Sequence, residues 1–220
     1  MSRHPHHLAT LLLALLPCLF QLKAQSDLQL AQNILAEHAA ELGLAAGDYD
    51  CLQLNNHYES RLSKVQHYYF TQCYQGVEVY RAVFNMHIQQ NGELLTWGSR
   101  LVPNLVSRIQ ATAPSLTAAD AVEEAAAAMG YPVPDSLVVK SQAGGAAQAV
   151  VFEKGELSVE DIPVRLVYQP MPDGSLRLAW DLNIQQMDGA HWWSLRVDAL
   201  NGQLLERNDW VISCDFGHPH

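Results

Sequence analysis

The 220-residue chain lacks a basic surface: thirteen lysines and arginines stand against 23 aspartates and glutamates, a formal charge of -10. Such a balance repels a phosphate backbone unless the cations cluster, and they do not, so nucleic acid is excluded as a partner. The chain also lacks the local patterns that carry chemistry. No His-Glu-x-x-His occurs, and beyond the first ten residues no two histidines are spaced four apart, so no helix can present two imidazoles and a glutamate to one metal. The serine elbow, the Walker loop, the dinucleotide glycine motif and Cys-x-x-Cys are absent too. The expectation is a chain that is not itself an enzyme and carries no metal or cofactor.

Long apolar runs are scarce as well. The only one is Leu8–Phe20, preceded by Arg3 and too short to cross roughly 30 Å of hydrocarbon as a helix. It reads as the apolar part of a signal peptide over residues 1–24, with cleavage after Ala24. Cys18 would suit a lipid anchor, but Pro17 stands where a small residue is needed. The mature chain is therefore expected to be periplasmic or secreted, with no membrane partner once the signal is removed. Of four cysteines, Cys51, Cys73 and Cys214 remain in a disulfide-permissive compartment. Cys51 and Cys73 fall near predicted strands, and either a bridge or two buried thiols fits them.

What is present is a globular composition, 49% hydrophobic and 16% charged, arranged in two similar orders. Leu28, Ala31, Ile34, Leu35, Ala39 and Leu42 follow helical spacing, with Asp27 before them, His38 at the stripe's boundary and Gly43 after. From Cys51 to Val102 the period becomes two. Strands are expected at His67–Tyr74 and Val77–Phe84 around a Gln75-Gly76 turn, then a hairpin at Asn91-Gly92 leading into Leu94–Trp97. Val102–Pro114 has no period and reads as a connection. Thr117 then caps an alanine-rich helix Ala118–Met129, with Asp120 in capping-box position and Gly130 closing it. Six further strand-like runs follow through Asn208, with Ser141–Gln148 as a hairpin tip or insertion. The fold class is α+β: two modules, each a helix packed on an antiparallel β-sheet, over 25–110 and 111–212, with a tail at 213–220.

Two local features invite a chemical reading. Asp48-Tyr49-Asp50 brings two carboxylates close in a polar connection, where solvated turn residues are commoner than an acid–base pair. Trp192-Trp193 falls in a predicted strand, so alternation sends one indole toward the core and leaves at most one free.

The stretch His67–Tyr80, containing Gln72-Cys73-Tyr74-Gln75-Gly76-Val77-Glu78-Val79, followed by Ala82–Asn85 and Asn91-Gly92-Glu93, resembles the fungalysin/thermolysin propeptide (FTP) domain. Ser99–Leu105 continues as in bacterial precursors of fungalysin-type peptidases. Ala179–Ile184, Trp192–Ala199 and Gly202–Leu205 are similar to the PepSY domain that follows FTP there, and Asn208–Val211 to the end of such pro-regions. The resemblance implies an FTP-like module followed by a PepSY-like, cystatin-like one. It also implies a pro-region that inhibits a zinc metallopeptidase domain and assists its folding, in cis or in trans, with that peptidase as partner. The expected contact is the segment Trp210–His220, through Trp210, Cys214, Phe216 and His218, although a linker with a structural cysteine fits the same residues. A free-standing secreted binding module is the alternative.

Overall fold

The computed structural model describes residues 26–211. The chain folds into two compact units: one takes the residues through Gln72 together with Arg81–Asn104, the other Cys73–Tyr80 and the residues from Leu105 onward.

The first unit begins with helix α1 (26–42), ended by Gly43, which adopts a left-handed φ of 66° while Leu44 donates back to the Ala39 carbonyl at 2.8 Å. Strands β1 (Leu52–Glu59), β2 (Gln66–Tyr74), β3 (Val77–Ile88) and β4 (Leu94–Ser99) follow, with β1 antiparallel to β2 and β4 antiparallel to the far half of β3. Ala31, Ile34 and Leu35 of α1 are buried against Leu52, Tyr68, Phe70, Phe84, Met86 and Ile88. Burying each such large side chain contributes about 1.5–3 kcal/mol, which is why the apolar stripe and the alternating strands find each other. His38 lies half-buried at the stripe's edge, its ring 4.6 Å from that of Trp97.

Strand β3 is less regular than its sequence suggests. Val77 and Val79 are buried at odd positions, but Ala82, Phe84, Met86 and Ile88 at even ones. Arg81 sits between them with φ 60°, and this single left-handed residue shifts the alternation by one. The two units divide at the same point.

The second unit holds the turn Gln75-Gly76, both at positive φ as a tight hairpin requires. It continues through α2 (Leu105–Arg108), α3 (Ala118–Met129), β5 (Val139–Gln142), β6 (Val150–Phe152), β7 (Ile162–Pro170), β8 (Leu176–Gln185), β9 (Trp192–Asp198) and β10 (Leu204–Asp209). Strands β5 to β10 pair in chain order and antiparallel, while Glu78 and Val79 run parallel to Val167 and Tyr168 of β7. Thr117 caps α3 as expected, accepting from Asp120 N–H at 3.2 Å while the Asp120 carboxylate accepts from Thr117 N–H at 2.7 Å. Gly130 closes it in the left-handed conformation.

The buried face of α3, Ala121, Val122, Ala125 and Ala126, is small, so the helix lies close on β8–β10. A Cβ on Gly202 would come within 2.9 Å of Glu124. The connection Val102–Pro114 is not wholly irregular: its apolar Leu105 is buried and opens the four-residue α2. Ser141–Gln148 forms the end of β5 and its turn to β6, tied by Leu166 N–H to the Ala147 carbonyl at 2.8 Å.

Candidate partner-contact site

Where β9 begins and β10 ends, four aromatic residues and a histidine–aspartate hydrogen bond meet. Asp209 Oδ2 lies 2.5 Å from His191 Nδ1, and its Oδ1 accepts from Trp192 N–H at 3.1 Å and Val211 N–H at 3.0 Å. The His191 hydrogen bond, seconded by the Val211 amide, holds the Asp209 carboxyl below its ordinary 3.8. Trp210 N–H donates to the Trp192 carbonyl at 2.9 Å, adding one ladder step past β10. The backbone through Val211 is thereby oriented while its side chains stay outward. Trp192 and Trp210 remain 39% and 49% exposed and meet edge to face at 5.2 Å. Together with exposed Met187 and Val211 they leave apolar surface that a partner can cover.

The paired tryptophans alternate as a strand requires, but neither joins the core. Trp193 is half-buried: its indole N–H donates to the Tyr131 hydroxyl at 2.7 Å, just past the end of α3, and its ring stacks on His191 at 4.7 Å. The expected core position is corrected for a plain reason: the buried helix face ends at Ala126, leaving the indole N–H to find a polar partner. Of the four expected contact residues, Trp210 is exposed here. Cys214, Phe216 and His218, like Ala24 and the signal segment, lie outside the described residues.

Asp48 requires a second correction. It is buried, not a solvated turn residue: its Oδ2 accepts from Ala45 N–H and Asn104 N–H, each at 2.8 Å. Its carbonyl accepts from Gln72 Nε2 at 2.7 Å, and Gln72 bonds Val102 in both directions, at 2.9 and 2.8 Å. A carboxylate engaged with two backbone donors is a staple for chain segments far apart in sequence, and Asp50 remains exposed. Cys51 and Cys73 are both disulfide-bonded, which removes the buried-thiol alternative.

Pattern reading missed one further feature, a charged strip across the second unit's sheet. Arg165 pairs with Glu78 at 2.9 Å and with Asp181 at 3.5 Å, and Arg196 approaches Asp181 at 3.5 Å and Glu206 at 3.9 Å. Arg196 is 0% exposed, with the Tyr80 ring 4.4 Å from its guanidinium carbon and Ser194 Oγ accepting at 2.6 Å, yet its Nε and Nη2 have no hydrogen-bond partner. Burial pushes the Asp181 carboxyl up against the opposing pull of Arg196 and Arg165. The only sequence signal was a scatter of charged residues inside otherwise apolar strands. Among the described residues no three His, Cys, Asp or Glu side chains are grouped to hold a metal.

Strands β1 to β4, with Gln72 of β2 bonded to Asp48 and Val102, span a stretch that a known family resembles. Residues 54–101 match the Fungalysin/Thermolysin Propeptide Motif. Around this propeptide motif the chain is 29% identical over 153 residues to an extracellular metalloproteinase of Aspergillus niger, covering 69% of this chain and 24% of that protein. With an extracellular metalloproteinase of Pyrenophora tritici-repentis the identity is 28% over 143 residues, covering 63% and 21%. The chain thus spans about a quarter of the length of these curated relatives. Both are fungal, whereas the resemblance drawn from sequence is to bacterial precursors. Among solved structures the C-terminal domain of Bacillus megaterium YpeB aligns with a TM-score of 0.35 at 10% identity, covering 83% of this chain and 64% of that one. No described helix is long and apolar enough to cross a membrane.

Proposed function

We propose that the chain is the pro-region of a secreted zinc metallopeptidase of the fungalysin/thermolysin type, exported by residues 1–24 and released after Ala24, which inhibits its peptidase domain and assists that domain's folding. The observation that carries this reading is the propeptide motif over 54–101, set within longer similarity to extracellular metalloproteinases. A domain without chemistry of its own can act in this way: by binding the folded peptidase in preference to the unfolded one it stabilises the former by mass action, and by covering the cleft it excludes substrate. The aromatic exit at Trp192 and Trp210 supports a contact through Trp210 and the residues after it, with Cys214, Phe216 and His218 in the same segment. Its apolar rings are exposed beside a backbone already oriented by Asp209, so less ordering entropy opposes docking there.

The test is inhibition of a mature fungalysin-type peptidase by residues 25–220 across a concentration range, alongside refolding of the same peptidase with and without them. Saturable inhibition and an increased refolding yield are expected, and deletion of 210–220 is expected to abolish the inhibition. Undiminished inhibition by the deletion variant would move the contact elsewhere. No inhibition of a cognate enzyme by the intact region would favour a free-standing secreted binding module.

A further inference from the structure

On the face of the first unit's sheet turned away from α1, two histidines from neighbouring strands meet head to head. His67 of β2 and His87 of β3 place their Nδ1 atoms 2.7 Å apart. The far nitrogen of His67 lies 2.7 Å from Ser60 Oγ, Tyr58 stacks on the His67 ring at 4.6 Å, and Tyr69 stands edge-on to His87 at 6.0 Å. These neighbours restrict the rings, so the short contact is not easily relieved by rotation.

A separation of 2.7 Å has room for one proton. With both imidazoles neutral, one Nδ1 donates and the other accepts, whichever way Ser60 orients its hydroxyl. A first added proton can sit on an outer Nε2 and leave the shared one in place; once both rings are protonated, two N–H groups stand nose to nose and two positive charges are in contact. Two nitrogens bound to one tetrahedral zinc at about 2.0–2.1 Å would stand roughly 3.3 Å apart, so the observed spacing suits a shared proton better than a metal.

The surroundings offer the second charge little relief. On β1 the facing titratable group is Tyr58, with His57 engaged by Gln66 at 2.7 Å; on β4 the residue opposite His87 is the uncharged Thr96. The nearby carboxylate, Glu59, is occupied by Lys64 at 3.1 Å and by Gln66 at 2.6 Å. Burial and the neighbouring His67 both push His87 down from its ordinary 6.5.

We infer that the His67–His87 pair is an acid-sensitive latch between β2 and β3, closed while the pair holds no more than one proton between the facing nitrogens and opened when a second arrives. The sign follows from the depressed histidine. Its folded form binds the proton less readily than the unfolded chain does, so its contribution is complete above the ordinary histidine value and is lost as pH falls through the folded one. Both histidines lie within the matched residues 54–101, so acid would loosen that part of the molecule selectively, whatever partner it serves.

The test uses the full chain. Histidine ring nitrogens are followed by NMR from pH 8 to pH 5, with amide exchange in β2 and β3 corrected for its intrinsic pH dependence. The two rings are expected to titrate as a coupled pair, and exchange at β2–β3 to accelerate severalfold on acidification. In His87→Gln the acceleration is expected to vanish, and with it the coupling between the two rings. Independent titration of the two rings in the unaltered chain, or the same acceleration in His87→Gln, would overturn the inference. So would coupling that disappears when EDTA is added, since that would make the bridge a metal. If His87→Gln does not fold, His67→Gln takes its place, and the ring titration of the unaltered chain decides on its own.

Discussion

In each unit a helix covers one face of a sheet, but the two contacts are built from opposite materials. In the first unit α1 contributes Ile34 and Leu35 to large aromatic and aliphatic partners such as Phe70 and Phe84. In the second, α3 contributes Ala121, Val122, Ala125 and Ala126. The opposite faces differ too: imidazoles and phenols in the first, arginines and carboxylates in the second. The first unit depends on volume, the second on close approach and on ion pairs set into its sheet. The same α+β plan therefore has different weak points in its two copies, and targeted substitutions should separate them.

The largest effect is expected at the buried guanidinium. Arg196→Ala removes the charge that faces Asp181 and Glu206 and leaves a void beneath Tyr80, and breaking such a buried pair costs about 3–5 kcal/mol. Urea denaturation should show the loss, and an unchanged midpoint would mean the strip contributes nothing. Next comes volume: Leu35→Ala, at a fully buried α1 position, is expected to cost about 2–5 kcal/mol by truncation and cavity formation. In α3 the opposite change is the damaging one. Ala125→Leu should overpack the close helix–sheet contact and cost about 1–3 kcal/mol, whereas a tolerant site would show that α3 can lift away from β8–β10.

The smallest effect belongs to the α3 cap, where Thr117→Ala is expected to cost about 1 kcal/mol at neutral pH. Backbone and side-chain bonds from Thr117 hold the Asp120 carboxyl below its ordinary 3.8. That stabilisation is present above the ordinary value and lost as pH falls through the lowered one, so the gap between wild type and variant should close in strong acid. A gap that persists there would assign the cost to the hydroxyl alone.

How much of this was legible depended on how far each feature reaches along the chain. Thr117, Asp120, Gly130 and the turn at Gln75-Gly76 are local: a cap or a tight turn is satisfied by residues within a few positions, so the sequence displays it whole. Strand positions from His67 onward came through by alternation, except at Arg81, where one left-handed residue reverses the faces with no compositional mark; β1, whose burial does not alternate, was not picked out. Asp48 was misread because its partners, Gln72 and Asn104, lie far along the chain. The exit aromatics were half legible: adjacent tryptophans predict opposite faces, but not that the helix face stops short of Trp193.

By itself, then, the sequence determined most of the elements, their order, the helix-on-sheet plan and the likeness to a propeptide, because periodicity, capping and turn chemistry act over short spans. Only the tertiary structure decided which polar residues meet. His67 with His87, Arg196 with Asp181, and Gln72 with Val102 are brought together by strand register and chain return. Register is set by the sum of many small packing gains across a sheet, and no single residue announces it.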